Sequence, residues 1–331
     1  MNSPKHPKVL IVSKVRVTQA DNSGASIGKW FVRWPRDRVA QIYSGAPPKG
    51  EPLFLLEYGL TARDRRLGRF FYARKKRSLE AVRSPLPRGR PARGCLASLI
   101  QPAARLLFLS GAWEIVFGPK LSPEMAAWIA EFKPDVLYVQ PADLAFVELA
   151  LLISKRFNIP FVVQMSDDFP ERLYNYFPMS RYVDRQFTRL FRSAAARLAT
   201  GPPMVAEYQK RYGVPFEHIM IADDPGRFAE ATPRRLSPIG RMTVVYSGAL
   251  GHFRWEALSD LSQALAILEA EGILADVHVF TATPMSELGS FTPNSRLAFH
   301  PAPLDKDIPS IFKSADVLFL PESFRERTLQ A

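Results

Sequence analysis

Short apolar runs alternating with longer amphipathic stretches set the pattern of this chain. "KVLIVS" at 8–13, "VAQIYSG" at 39–45, "LFLLEY" at 53–58, "DVLYVQ" at 135–140 and "FVVQM" at 161–165 are short and predominantly apolar. Runs of that kind are strands buried on both faces, as in a parallel sheet, and the amphipathic segments between them are its crossover helices. One helix start is plain: Ser122 as N-cap, Pro123 at the first position and Glu124 in the first turn. Each of these suits the exposed amides of a helix N-terminus. "ADLAFVELALLISKRF" at 142–157 predicts the next helix, a long one is predicted through "RYVDRQFTRLFRSAAARL" at 181–198, and "PMVAEYQKRYG" and "HIMIADDPGRF" follow.

The segment "AEATPRRLSPIG", 229–240, has little periodicity and two prolines, and reads as an interdomain linker. A second alternation then begins with "MTVVYSG", a helix Trp255 to Glu271, "DVHVFTA", "RLAFHPAP", a helix around "DKDIPSIFKSA", and "DVLFLP". The expectation is an α/β protein with two Rossmann-like β/α/β domains, 1–228 and 241–331, facing each other across a cleft lined by strand carboxyl ends. The chain stops soon after its last strand, before a full covering helix, so the second domain reads as truncated.

Length agrees with two domains, since 331 residues exceed what one core usually serves. An apolar fraction of 47% is ordinary for a globular protein and argues against disorder throughout. The single cysteine, Cys95, cannot form an internal disulfide, and nothing points to an oxidising compartment. The first residues carry only a short apolar run before Ser13 and Lys14, which is a strand and not a signal peptide. The apolar region 96–118 is interrupted by Pro102, Arg105 and Glu114, which argues against a membrane span. A cytoplasmic protein is expected.

Charge changes this picture at one place. The net charge is +12, and 63–93 holds twelve Lys or Arg against Asp64 and Glu80, an excess of ten. Such a segment suits an anionic surface, nucleic acid or acidic lipid. The interleaved Phe70, Phe71, Tyr72, Leu79 and Val82 favour a basic amphipathic element lying peripherally on a membrane, and no nucleic acid partner is expected. The competing reading is a solvated insertion, given "SPLPRGRPARG" right after "RFFYARKKRSLEAV".

The stretch "VVYSGALGHFRWEAL", 244–258, is where chemistry concentrates. Glycines after a buried strand let backbone amides approach a ligand, and a helix start adds partial positive charge. Ser247, Gly248, Gly251 and Arg254 are therefore candidates for a phosphate site. A dinucleotide fingerprint is absent, because "SGALGH" has the wrong glycine spacing. "MSDDFPERLY" places Asp167 and Asp168 directly after a buried strand, where a carboxylate can orient or deprotonate a hydroxyl. The alternatives there are a helix cap with a salt bridge to Arg172, or a metal site, for which adjacent carboxylates are suitable ligands. His218 and His252 are single histidines, more readily explained by packing or hydrogen bonding than by catalysis.

The order "SGALG", Arg254, an amphipathic helix and "LAFHPAPLDKDIPSIFKSADVLFLP" resembles the donor half of GT-B glycosyltransferases of the GT4 group, with the likeness best over 240–331. That resemblance implies that Gly248, Gly251 and Arg254 hold a nucleotide diphosphate, and that no metal or other cofactor is needed beyond the nucleotide-sugar co-substrate. It implies that Ala302 and Pro303 lie by the nucleotide base, and that Ser23, Gly24, Ser26 and Gly28 form a glycine-containing loop on the acceptor side. The family's paired glutamates, eight positions apart, are not reproduced: Glu322 is present, but position 330 is Gln330. The resemblance implies retaining transfer of a sugar to a hydroxyl acceptor, and the basic aromatic segment points to a lipid-linked or surface-polysaccharide precursor as that acceptor. The alternatives are a catalytically incomplete binding module of the same fold and a sugar-nucleotide epimerase.

Overall fold

The computed structural model describes residues 6–18, 22–44, 53–66, 116–170, 179–220, 223, 225–228, 241–251, 253–288 and 296–322. The chain divides into two compact units, 1–221 and 222–331. Two segments singled out in the sequence, the linker 229–240 and nearly all of the basic segment 63–93, lie outside the described residues.

The first unit is built on seven strands: β1 (Val9–Ser13), β2 (Val39–Tyr43), β3 (Leu56–Gly59), β4 (Val136–Gln140), β5 (Phe161–Met165), β6 (Ala196–Thr200) and β7 (Glu217–Ile219). Their order is β3-β2-β1-β4-β5-β6-β7, parallel throughout. The described helices are α1 (Asn22–Phe31), α2 (Pro123–Phe132), α3 (Leu144–Phe157), α4 (Met179–Ser193) and α5 (Pro202–Tyr212). Alternate residues of each strand feed opposite faces. Leu10, Val12, Leu137 and Val139 join one cluster with α2 to α5, and Val9, Ile11 and Tyr138 join the other with Ile27 and Phe31 of α1. Each fully buried Leu, Ile or Val contributes about 1.5–3 kcal/mol, so the two clusters hold the sheet from both sides.

Helix ends follow the sequence signals. The Ser122 side chain accepts from the Met125 amide, with Pro123 opening α2, and the Asp143 side chain accepts from the Phe146 amide to start α3. The predicted helix 181–198 is cut short. α4 stops at Ser193, Ala195 donates to the Phe161 carbonyl, and Ala196–Thr200 pairs with β5 as a strand. The run "AAARL" has helical propensity, but pairing with β5 satisfies its backbone and tertiary context overrides propensity.

The second unit has four parallel strands in the order β10-β9-β8-β11, namely β8 (Met242–Ser247), β9 (Ala275–Thr281), β10 (Leu297–Pro301) and β11 (Val317–Leu318). Helix α6 (Arg254–Ala270) crosses from β8 to β9, and α7 (Ile308–Lys313) precedes β11. Leu258 and Leu265 of α6 pack on Val244, Tyr246, Val277 and Val279. In both sheets the chain's direction reverses about its first strand, which creates a switch point between β1 and β4 and another between β8 and β11.

Asp64 ties the first unit together away from these switch points. Fully buried, it accepts from the Thr61 amide and hydroxyl, the Tyr58 hydroxyl and the Ser122 hydroxyl, and so joins the turn after β3 to the start of α2. Burial alone raises its pKa, but the four hydrogen bonds outweigh that and hold it below the ordinary carboxylate value. A depressed carboxyl contributes stability above its unfolded pKa and loses it as pH falls through the folded value. Asp64→Asn replaces an acceptor with a donor facing other donors. It is expected to cost about 1–3 kcal/mol by urea unfolding at neutral pH, and to flatten the loss of stability that wild type shows on acidification.

Candidate functional site

The two switch points carry most of the residues singled out by sequence. In the second unit, Gly248 to Gly251 turn out of β8, and Arg254 opens α6. The Gly248 amide continues the sheet by donating to the Phe280 carbonyl, and the Leu250 amide donates to Thr283 Oγ1. Among the described residues the Ala249 and Gly251 amides have no acceptor. The amide donors of this bend are therefore Ala249 and Gly251, not Gly248 as the glycine pattern suggests.

Glycine at the two positions serves two ends. A Cβ on Gly248 would lie 2.6 Å from the Tyr246 phenol oxygen, so this residue is small because the bend closes on a core side chain. A Cβ on Gly251 would meet nothing within 4 Å, which leaves an open approach to the backbone there. Ser247, the last residue of β8, is half-buried and in register with Phe280.

Arg254 and Glu322 come together although 68 positions separate them. Arg254 Nη2 lies 3.2 Å from Glu322 Oε1, bridging the start of α6 and the segment after β11. The Arg254 side chain is half-buried and that of Glu322 exposed, at 33% and 58%, and Arg254 Nε is buried with no partner among the described residues. Phe253, just before α6, adopts φ 61° and lends no side-chain cap. A bulky residue in the left-handed region is strained. The bend, the helix start and the guanidinium thus gather donors and positive charge at one strand end. Ala302 and Pro303 follow β10, two strands from β8 along the same carboxyl edge. They are exposed and half-buried, respectively.

In the first unit, 22–31 is a helix and not the loop expected from "DNSGASIGKW". Ile27 and Phe31, four apart, are buried, and Gly24 and Gly28 let α1 settle onto the chain after β1. A Cβ at Gly24 would lie 2.3 Å from the Arg16 carbonyl oxygen, and one at Gly28 2.9 Å from Leu53. Close packing compensates the usual helix penalty of glycine. Ser23 lies in the first turn of α1 with its side chain outside the described residues, and Ser26 is half-buried on the same helix.

The carboxyl ends of β1, β2 and β3 are instead tied by residues that sequence reading missed. Arg16 donates to Glu57 at 2.6 Å with both side chains nearly buried, and Gln41 bridges them by donating to Glu57 and accepting from the Val17 amide. Lys14 pairs with Asp143 at 2.7 Å across the switch between β1 and β4. None of these partners is near the other in sequence, so no local motif signals them.

Asp168 is placed differently from the expectation. It is buried after β5 and held by Arg211 at 2.9 Å and by the Tyr208 hydroxyl at 3.1 Å. Arg211 and Tyr208 belong to α5, and Tyr208 packs among Phe191, Tyr212 and Phe216. Burial, then the Asp168 charge, pushes the Tyr208 phenol far up, so it stays a donor to Asp168. A carboxylate so paired anchors β5 to α5. The salt bridge forms with Arg211, and Arg172 lies outside the described residues along with His252. Asp167 is half-buried beside it, and His218 is exposed on β7.

The two glycines make a contrasting pair of variants. Gly248→Ala is expected to lower the thermal midpoint by several degrees, because backbone or phenol must move by tenths of an ångström. Gly251→Ala is expected to stay within about 0.5 kcal/mol of wild type, as for surface changes away from packed features. Parallel thermal melts check both.

Comparison with known proteins agrees with this architecture. A family model described as a glycosyl transferase 4-like domain matches residues 60–222. Among solved structures, the chain is similar to a sucrose-phosphate synthase from Thermosynechococcus elongatus, at 12% identity and TM-score 0.53, covering 97% of this chain and 77% of that one. It is also similar to an α,α-trehalose-phosphate synthase (UDP-forming) from Burkholderia vietnamiensis, at 15% identity and TM-score 0.52, covering 95% and 78%. An α,α-trehalose 6-phosphate synthase from Burkholderia multivorans gives 12% identity and TM-score 0.52, covering 96% and 78%. No curated protein matches the sequence. Among the described residues, no helix is long and apolar enough to cross a membrane. Residues 60–222 thus match the glycosyl transferase 4-like family model, and the chain has the GT-B fold of these synthases.

Proposed function

We propose that the chain transfers a sugar from a nucleoside-diphosphate sugar to a hydroxyl acceptor, and that the switch point between β8 and β11 holds the diphosphate. The observation that carries this reading is the open-faced bend at Gly251, with two uncommitted amides beside the Arg254 guanidinium. Cleaving the bond between sugar C1 and the phosphate oxygen leaves charge on the departing diphosphate, and preorganised donors offset it. The Ala249 and Gly251 amides would take one phosphate and Arg254 would take a charge-assisted pair of bonds. Glu322 holds Arg254 in place until the ligand arrives and then competes for it or accepts a ribose hydroxyl. UDP is the first nucleotide to test, since one similar structure is described as UDP-forming.

Retention of configuration fits the same geometry. The acceptor hydroxyl approaches the face that the diphosphate leaves, and its proton passes to the departing phosphate oxygen. That route needs no carboxylate base, which suits an Asp168 already paired with Arg211. The acceptor is a polysaccharide or glycolipid precursor, and the basic segment 63–93 would hold the chain at an anionic, cytoplasm-facing membrane surface.

Calorimetric titration of the full chain with UDP, GDP and ADP is expected to give saturable binding to one of them, and binding to none refutes the donor site. With the preferred sugar nucleotide, Arg254→Ala is expected to lower kcat/KM about 10²-fold to 10³-fold. Arg254→Lys should recover only part of it, because an ammonium lacks the two-point geometry of the guanidinium. Epimerase activity would show instead as conversion of the donor with no acceptor present.

A further inference from the structure

We propose that Tyr246 is a positioning residue of the diphosphate site, holding the glycine bend in its binding geometry through its phenol oxygen. This rests on the donor-site reading above. The side chain sits in the core of the second unit, only 4% exposed, among Val244, Leu258, Val277 and Val279, where a phenylalanine would fill the same space. Burying a hydroxyl there is costly unless it gains a strong partner. The partner is the Ala249 carbonyl, three residues on in the bend, at 2.6 Å.

That bond fixes one end of the peptide joining Ala249 to Leu250. The other end is fixed too, since the Leu250 amide donates to Thr283 Oγ1 at 3.0 Å. With one peptide plane clamped at both ends, the flanking Ala249 and Gly251 amides are left with set orientations and, among the described residues, no acceptor. Gly248 completes the arrangement, because no larger residue would let the bend close on the phenol.

Burial raises the phenol pKa, against the opposing pull of the Arg254 charge, so the hydroxyl remains a donor at neutral pH. A single buried oxygen thereby sets the amides that the diphosphate would meet. Sequence reading passes over it as one more apolar position in "MTVVYSG".

Tyr246→Phe removes the oxygen and keeps the ring. In the full chain this variant is expected to bind nucleoside diphosphate about tenfold more weakly, the loss of roughly one net hydrogen bond, while the corresponding nucleoside monophosphate changes less than twofold. Hydrogen–deuterium exchange of the peptide spanning 246–254 should rise. Val277→Ala, a cavity in the same core away from the bend, should lower the melting temperature with neither effect. Wild type that binds a diphosphate while Tyr246→Phe binds it equally well overturns the positioning role. Wild type that binds no nucleoside diphosphate overturns the donor reading and the role together, and an unchanged exchange rate in Tyr246→Phe overturns the clamp by itself.

Discussion

A parallel strand cannot hand the chain directly to its neighbour. A crossover must first return to the other end of the sheet, so every turn that leaves a strand collects along one edge. In each sheet of this protein the first strand in sequence has crossovers leaving on both sides, and the turns there diverge and leave room beside the first strand. That divergence brings Lys14 to Asp143 in one unit, and Arg254 to Glu322 in the other, over separations no local sequence pattern spans. The chemistry at both edges depends on this geometrical constraint before it depends on any particular side chain.

The strand and helix rhythm was legible because burial on both faces demands short uninterrupted apolar runs, and "DVLYVQ", "FVVQM" and "DVHVFTA" have that form. Ser122 and Pro123 marked a helix start correctly because capping is a local interaction. The strand Ala196–Thr200 was not legible, since its alanines and leucine favour a helix until β5 presents a backbone edge to pair with. Gly24 and Gly28 read as a loop because glycine usually signals one, and only the proximity of the Arg16 carbonyl to the first and of Leu53 to the second explains their place in a helix.

The candidate site divides along the same line. Gly248, Gly251 and Arg254 stand out in the sequence because they lie within seven positions of one another. Their separate duties do not, since a glycine required by a phenol beneath it and a glycine facing open space look alike in sequence. Asp168 is the converse case. Two acidic residues after a buried strand suggest chemistry, but the sequence does not reveal that Arg211 and Tyr208, some forty residues on, pair with one of them within an aromatic core.

The two arginines at the strand ends differ in how far water reaches them. Arg16 and Glu57 are 8% and 13% exposed, whereas Arg254 is half-buried and Glu322 exposed. Dissolved ions weaken the second pair more than the first, since salt screens exposed charges much more than buried ones. Raising ionic strength would therefore loosen the rim of one unit and leave that of the other stiff, so the background electrolyte acts selectively on the two halves of the molecule.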